Sequence, residues 1–389
     1  MRSRLIAACL LVSFCLLAAQ PAAAGNPQQL SPRILPEMEL LAGVLAQTTW
    51  METRGPRGTG NEYFRALRDY LAPYKEHEAI AIAQELTNLG FTYDAPVGFI
   101  CHLGPLPELE VKYEYSNYLI ERAHGRDRLE RFRLALADLA REANFLDFYD
   151  SWLPQFNEWI AAVEFNGDMI TEWLESFFGK QASEFHLIFA PAMFPSGGCG
   201  AIIDGPNGEL ISYQILRESG TSSWAPDLPS GRHLEFLSLH EWGHSFVNPA
   251  LDAHADQVSK LRSLIMPVAS IMKRQAYPTI HVFMSEQVLR AVTTLAAEEL
   301  YGEEVYQKWL QNEENAGFYL TKDVIEMLRE YKSNRDIYPT FESYVPTLLE
   351  QLAALKVPAV WWSKAWPWLF VLPFLGLFLY IRKLRSNMQ

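Results

Sequence analysis

Between Leu237 and Phe246 the chain reads Leu-Ser-Leu-His-Glu-Trp-Gly-His-Ser-Phe, which contains the spacing H-E-x-x-H. On a helix, residues four apart share a face, so His240 and His244 can aim two imidazoles at one ion. Glu241 lies roughly 100° further round the axis, where a carboxylate sits beside the metal and can take a proton from an activated water. Two neutral nitrogen ligands, in an exported chain with no sign of redox chemistry, make Zn2+ the expected ion. Apart from Glu241, no acidic or basic side chain other than the two histidines falls between Phe236 and Phe246, as suits a helix through the middle of a domain. Gly243 on that helix would let a neighbouring element approach closely.

A zinc site needs a third protein ligand. The extended pattern H-E-x-x-H-x-x-G-x-x-H fails, because Val247 and Ala250 stand where Gly and His would be required. The remaining scheme takes a Glu from a second helix, and a helix expected from about Thr279 to Tyr301 offers Glu286, Glu298 and Glu299. Glu286 lies 42 residues after His244 and is flanked by Phe283, Val288 and Leu289, so it should face inward. A buried, unpaired carboxylate is costly, and metal ligation would offset that cost. The adjacent Glu298 and Glu299 read as a solvated pair near the helix end. Arg290, four residues after Glu286, offers either an ordinary helix ion pair or a role beside the metal or on a substrate carboxylate. Asp252, His254 and Asp256, just after the motif, are rival ligands. Transition-state stabilisation calls for a donor to the developing oxyanion, for which His281 is the first candidate and Tyr277 and Tyr301 are others. His77, His102, His124, His186 and His233 have no partners at metal spacing and should be structural.

The string His240 to Pro249, followed by Ser285-Glu286-Gln287-Val288-Leu289-Arg290-Ala291, resembles a bacterial family catalogued as domain of unknown function 4932. Its wider kinship would be with the thermolysin-like gluzincins, and the likeness is concentrated in residues 230–300. The resemblance implies a zinc peptidase fold in which His240, His244 and Glu286 hold the metal and Glu241 is the catalytic base. One departure stands out: gluzincins place an Asp four residues after the third ligand, where this chain has Arg290.

The elements around the motif come from hydrophobic period. Apolar residues at three- and four-residue spacing predict helices over Leu35–Glu52, Asn61–Leu71, Glu76–Leu89, Arg126–Ala143 and Phe145–Val163. Leu109, Val111, Tyr113 and Tyr115 alternate with charged residues, which predicts a half-buried strand. Phe185–Ala190, Ala201–Asp204 and Glu209–Ile215 read as strands, the last two joined through Gly205-Pro206-Asn207-Gly208 as a hairpin. A loop from Glu218 to Arg232 follows, then the motif helix from near His233, then helices to Lys356. The expected fold is mainly α with a small antiparallel β element (α+β), carrying zincin-like active-site helices. It divides into a helical part over 34–180, a catalytic core over about 183–300 and further helices over 301–356.

The two ends differ from the rest. Basic Arg2 and Arg4, an apolar run from Leu5 to Ala19 and the small-residue site before Gly25 make residues 1–24 an expected signal peptide. Residues 362–381 make an expected transmembrane helix, with a tryptophan belt at one end and the basic tail 382–389 at the other. By the positive-inside rule the tail is cytoplasmic and residues 25–356 lie outside a bacterial cell membrane. That segment holds all 46 acidic residues and 27 of the 33 basic ones, so its formal charge is −19 against −13 for the whole chain. Such a balance excludes nucleic acid as a partner, since phosphate binding needs the opposite sign. Cys101 and Cys199 could be bridged in an oxidising compartment or remain buried thiols. The expected activity is that of a membrane-anchored zinc metallopeptidase acting on peptide or protein substrates. Alternatives from the same residues are a zinc-stabilised binding ectodomain without catalysis and a zinc hydrolase of a non-peptide bond.

Overall fold

A computed structural model describes residues 30–54, 61–193, 198–206, 208–217 and 228–356. The expected signal peptide and transmembrane helix lie outside them, and no described helix is long and apolar enough to cross a membrane.

Helices dominate, arranged around one small sheet. Its strands are β1 (Arg33–Ile34), β2 (Glu184–Phe189), β3 (Gly198–Asp204) and β4 (Leu210–Leu216), in the order β1-β2-β4-β3. β3 and β4 form the expected hairpin, with Gly205 and Glu209 closing the turn through a 2.8 Å backbone bond. β2 pairs in parallel with both β1 and β4, so the sheet is mixed rather than antiparallel. The hairpin was local enough to read from its turn. The parallel pairs join strands far apart in sequence, and a two-residue β1 has no period to detect. β4 is buried along its whole length because it has a strand on each side and a helix over one face.

Two further expectations change. Residues 108–115 form no strand; they bury Leu109, Tyr113 and Tyr115 in alternation but make only the isolated bridge Leu103–Val111. Leu109 adopts a left-handed backbone (φ 49°), which interrupts an extended run, and the segment hugs the core without a strand beside it. The expected helix over Phe145–Val163 is two, Phe145–Ser151 and Leu153–Ala161, with Pro154 in the first turn of the second, where its missing N–H costs nothing. Leu35–Glu52 likewise divides into Pro36–Leu45 and Thr49–Arg54.

The motif helix, Gly231–Asp252, runs through the centre as expected. One side packs on β3 and β4, another on the helix Ile280–Tyr301. Trp242 is fully buried against β2, its ring 5.1 Å from Phe185, and Phe246 stacks on Phe178 at 4.5 Å. Gly243 has the predicted use: a Cβ there would run into the Leu289 side chain. The two helices that carry the chemistry can therefore approach each other closely.

Cys101 and Cys199 are buried thiols. Burial, with smaller contributions from Glu37 and Cys199, pushes the Cys101 thiol far above its ordinary range, so it is held as an unreactive thiol.

Glu39 is the other buried acid in this half. It lies on the helix Pro36–Leu45 beneath the turn that follows β2 and accepts a 3.3 Å hydrogen bond from the Ala192 N–H. Burial pushes its carboxyl up to about 8, against an ordinary value near 4.5. Between those two values the folded chain holds a proton that the unfolded chain has released. Its stabilising contribution is complete below about pH 4.5 and declines as pH rises through about 8, with a limiting slope of about 1.4 kcal/mol per pH unit. Glu39→Gln should remove that decline, so its stability relative to wild type should rise from pH 5 to pH 8 in urea denaturation. A difference that stays flat across this range would contradict the assignment.

Candidate metal centre

Two helices build the site. The motif helix presents His240 and His244 one turn apart, with ring centres 4.8 Å apart and planes at 84°. The helix Ile280–Tyr301 presents Glu286 opposite them, 7% exposed. Glu286 Oε1 lies 3.4 Å from His244 Nε2, and Oε2 lies 3.6 Å from His240 Nε2. One ligand atom from each of the three residues falls within 4.8 Å of the others. Tetrahedral zinc with bonds near 2.0–2.1 Å needs ligand atoms about 3.4 Å apart, and the two histidine–Glu286 separations of 3.4 and 3.6 Å are close to that spacing, so the donor set is of a kind and size that could hold it.

Proton placement also fits. His244 Nδ1 lies 3.1 Å from Asn248 Oδ1, one further turn along the helix. With Nδ1–H donating to Asn248, Nε2 is the nitrogen turned to Glu286, and it shares a proton with that carboxylate. Glu286, Glu241 and Asn248 outweigh burial and raise His244 above its ordinary range, and a metal bound there would take that proton's place. Burial, aided by the neighbouring His244 and Arg290 and opposed by Glu286, lowers His240 to about 3, so it is a neutral imidazole. Burial alone would raise Glu286, but the hydrogen bond from His244, followed by the pull of the His240 ring, the His244 charge and the Arg290 guanidinium, outweighs it and brings the carboxyl down to about 2. Glu286 is thus an anion at any physiological pH.

Glu241 stands against β3. A Cβ built on Gly198 would lie 3.4 Å from Glu241 Oε1, and one on Gly200 3.4 Å from Oε2, so the carboxylate rests against these two glycines of the edge strand. Burial pushes the Glu241 carboxyl above its usual range, with His244 and Arg290 opposing and Glu286 adding to the rise. A carboxyl raised toward neutrality is suited to accept and return a proton.

Arg290 connects the ligand to a wider network. Its Nε donates to Glu286 Oε2 at 3.2 Å, Nη1 to Glu313 Oε2 at 2.8 Å and Nη2 to the Tyr277 hydroxyl at 3.4 Å. Tyr277 is near enough for Glu286 and Glu241 to raise its phenol, after burial as the main cause.

The other expected residues are placed elsewhere. His281 sits in the first turn of its helix with Nε2 donating to the Ala255 carbonyl at 3.1 Å. The Tyr301 hydroxyl donates to Glu235 Oε2 at 2.6 Å. Glu298 and Glu299 pair with Arg329 and Lys332, and Asp252, His254 and Asp256 are not among the residues that converge. His77, Asp138 and Glu142 make a second cluster on the surface. There His77 Nδ1 accepts from the Ala79 N–H as a helix cap, so the ring proton is on Nε2 and points at the two carboxylates. That arrangement is a helix-capping imidazole facing two surface carboxylates, with its Nδ1 lone pair already taken by the Ala79 N–H.

Sequence reasoning missed Asn248, Glu313 and the two β3 glycines. Asn248 could have been found, since it follows His244 by four residues on the same helix face. Glu313 and the glycines reach the site only through tertiary packing.

The sequence profile of one family, described as a domain of unknown function (DUF4932), matches residues 57–351. No curated protein and no solved structure matches the chain.

Proposed function

The chain belongs to the DUF4932 family, and we propose that it is a zinc-dependent metallopeptidase. The observation that carries this reading is the convergence of His240, His244 and Glu286, with one ligand atom of each within 4.8 Å of the others and the Glu241 carboxylate near enough to feel His244 and Glu286. Zinc held there would supply Lewis acidity, polarising a carbonyl oxygen and acidifying water.

The protein's own groups do the rest. Glu241 takes the proton from the attacking water and returns it to the leaving amine nitrogen, a transfer its raised affinity for protons favours. Tyr277, held by Arg290, is the phenol placed to donate to the developing oxyanion, since the first-choice donor His281 is bonded to Ala255. β3 is an edge strand and pairs with β4 on one side, so its outer side can take an extended peptide chain by strand addition next to Glu241. Catalysis is favoured over a structural metal because the converging group has three protein ligands and no fourth among the described residues. The membrane anchor and outward orientation, read from the chain ends, belong to the same proposal.

The test is peptide-library cleavage by the full chain, before and after metal removal. Activity should disappear on stripping with a chelator and return with stoichiometric zinc. Cleavage that survives complete metal removal would overturn the reading.

A further inference from the structure

Glu313 lies on the helix Glu303–Ala316, nearly buried, and does not converge on the metal cluster itself. Its carboxylate instead meets Arg290 at 2.8 Å, and the guanidinium carbon sits 4.2 Å from the centre of the Phe318 ring. Arg290 is thus held from two sides before it reaches Glu286. A buried carboxylate so placed is costly unless its charge is used. The use follows from counting charges. A divalent cation, two neutral imidazoles, Glu241, Glu286, Arg290 and Glu313 together sum to zero. Without Glu313 the same group carries one surplus positive charge, in a setting where charges are weakly screened. The aim of Arg290 would loosen too, because Glu286 and the Tyr277 hydroxyl would be its remaining hydrogen-bond partners there.

We propose that Glu313 is a positioning residue of the metal centre, acting through Arg290 to hold the Glu286 carboxylate toward the two histidines and to cancel the guanidinium charge. This rests on the zinc reading above. It also gives Arg290 an internal role: three of its donors are committed within the protein, which sets it apart from a clamp for a substrate carboxylate.

The experiment is a double-mutant cycle read as zinc affinity by competition with a chromophoric chelator, on the full chain. The four proteins are wild type, Glu313→Gln, Arg290→Met and the double variant. Glu313→Gln should weaken zinc binding by about 10–100-fold, the usual worth of a group that supports a ligand from outside the metal's own shell. In the Arg290→Met background the same change should alter affinity less than about 2-fold, because a buried Glu313 with no guanidinium beside it is held protonated and has neither charge nor partner for Gln to remove. Wild-type affinity in Glu313→Gln, or losses that add in the double variant, would overturn the proposal. Glu313→Asp keeps the charge with a shorter reach, so it should fall between wild type and Gln; it replaces Gln in the cycle if the latter does not fold. A wild type that binds zinc but cleaves no peptide would overturn the peptidase reading, while the cycle would still decide the role of Glu313. A wild type without zinc affinity would overturn both.

Discussion

Glu241→Gln should keep its zinc and lose peptide cleavage by about 10²–10⁴-fold in kcat, the range expected for removal of a general base. The amide is nearly isosteric, so it fits the same space against Gly198 and Gly200. It cannot take a proton from water. The effect should fall on kcat with KM little changed, because Glu241 is assigned to proton transfer and not to substrate binding. The pH profile offers a second check. Burial raises the Glu241 carboxyl, so the acid limb of kcat/KM should lie above the ordinary glutamate range. Residual cleavage by the Gln variant should lack that limb. Undiminished cleavage at full zinc occupancy would remove Glu241 from the mechanism.

Loss of a ligand should act one step earlier, on the metal. His240→Ala, His244→Ala and Glu286→Gln should each weaken zinc binding by well over the 10–100-fold typical of an outer partner. Glu286→Gln is the sharpest of the three, because it preserves the shape between the histidines and Arg290 while removing the anion. Glu298→Ala should stay fully loaded, since that carboxylate is paired with Arg329. Thermal unfolding provides the reading. Zinc at a hundredfold excess over its dissociation constant stabilises the fold by about 2.7 kcal/mol, and ligand variants should lose that upward shift. A zinc-dependent shift retained in Glu286→Gln and lost in Glu298→Ala would reassign the third ligand.

The parts of this site that were legible in the sequence share a property: they lie within one helix or one turn. His240, Glu241 and His244 announce themselves by spacing, and the β3–β4 hairpin by its Gly205–Gly208 turn. Glu286 was legible because an isolated acid among Phe283, Val288 and Leu289 demands a reason to be buried. What escaped depends on which distant segments meet. The parallel neighbours of β2 are chosen by the packing of helices against the sheet, not by its own pattern. The alternation over 108–115 is real as burial yet gives no strand, because alternation shows which side chains face the core and cannot supply a partner backbone. In the sequence Arg290 is an ambiguous neighbour of Glu286, because its second carboxylate partner, Glu313, comes from the following helix and no spacing announces it.

The most direct test of the central claim locates the metal itself. Zinc-edge anomalous diffraction from crystals of the zinc-loaded protein should show one strong peak within about 2.0–2.2 Å of His240 Nε2, His244 Nε2 and a Glu286 oxygen, with an open fourth position facing Glu241. A peak held by any other residue set, or a fourth protein ligand closing that position, would contradict it.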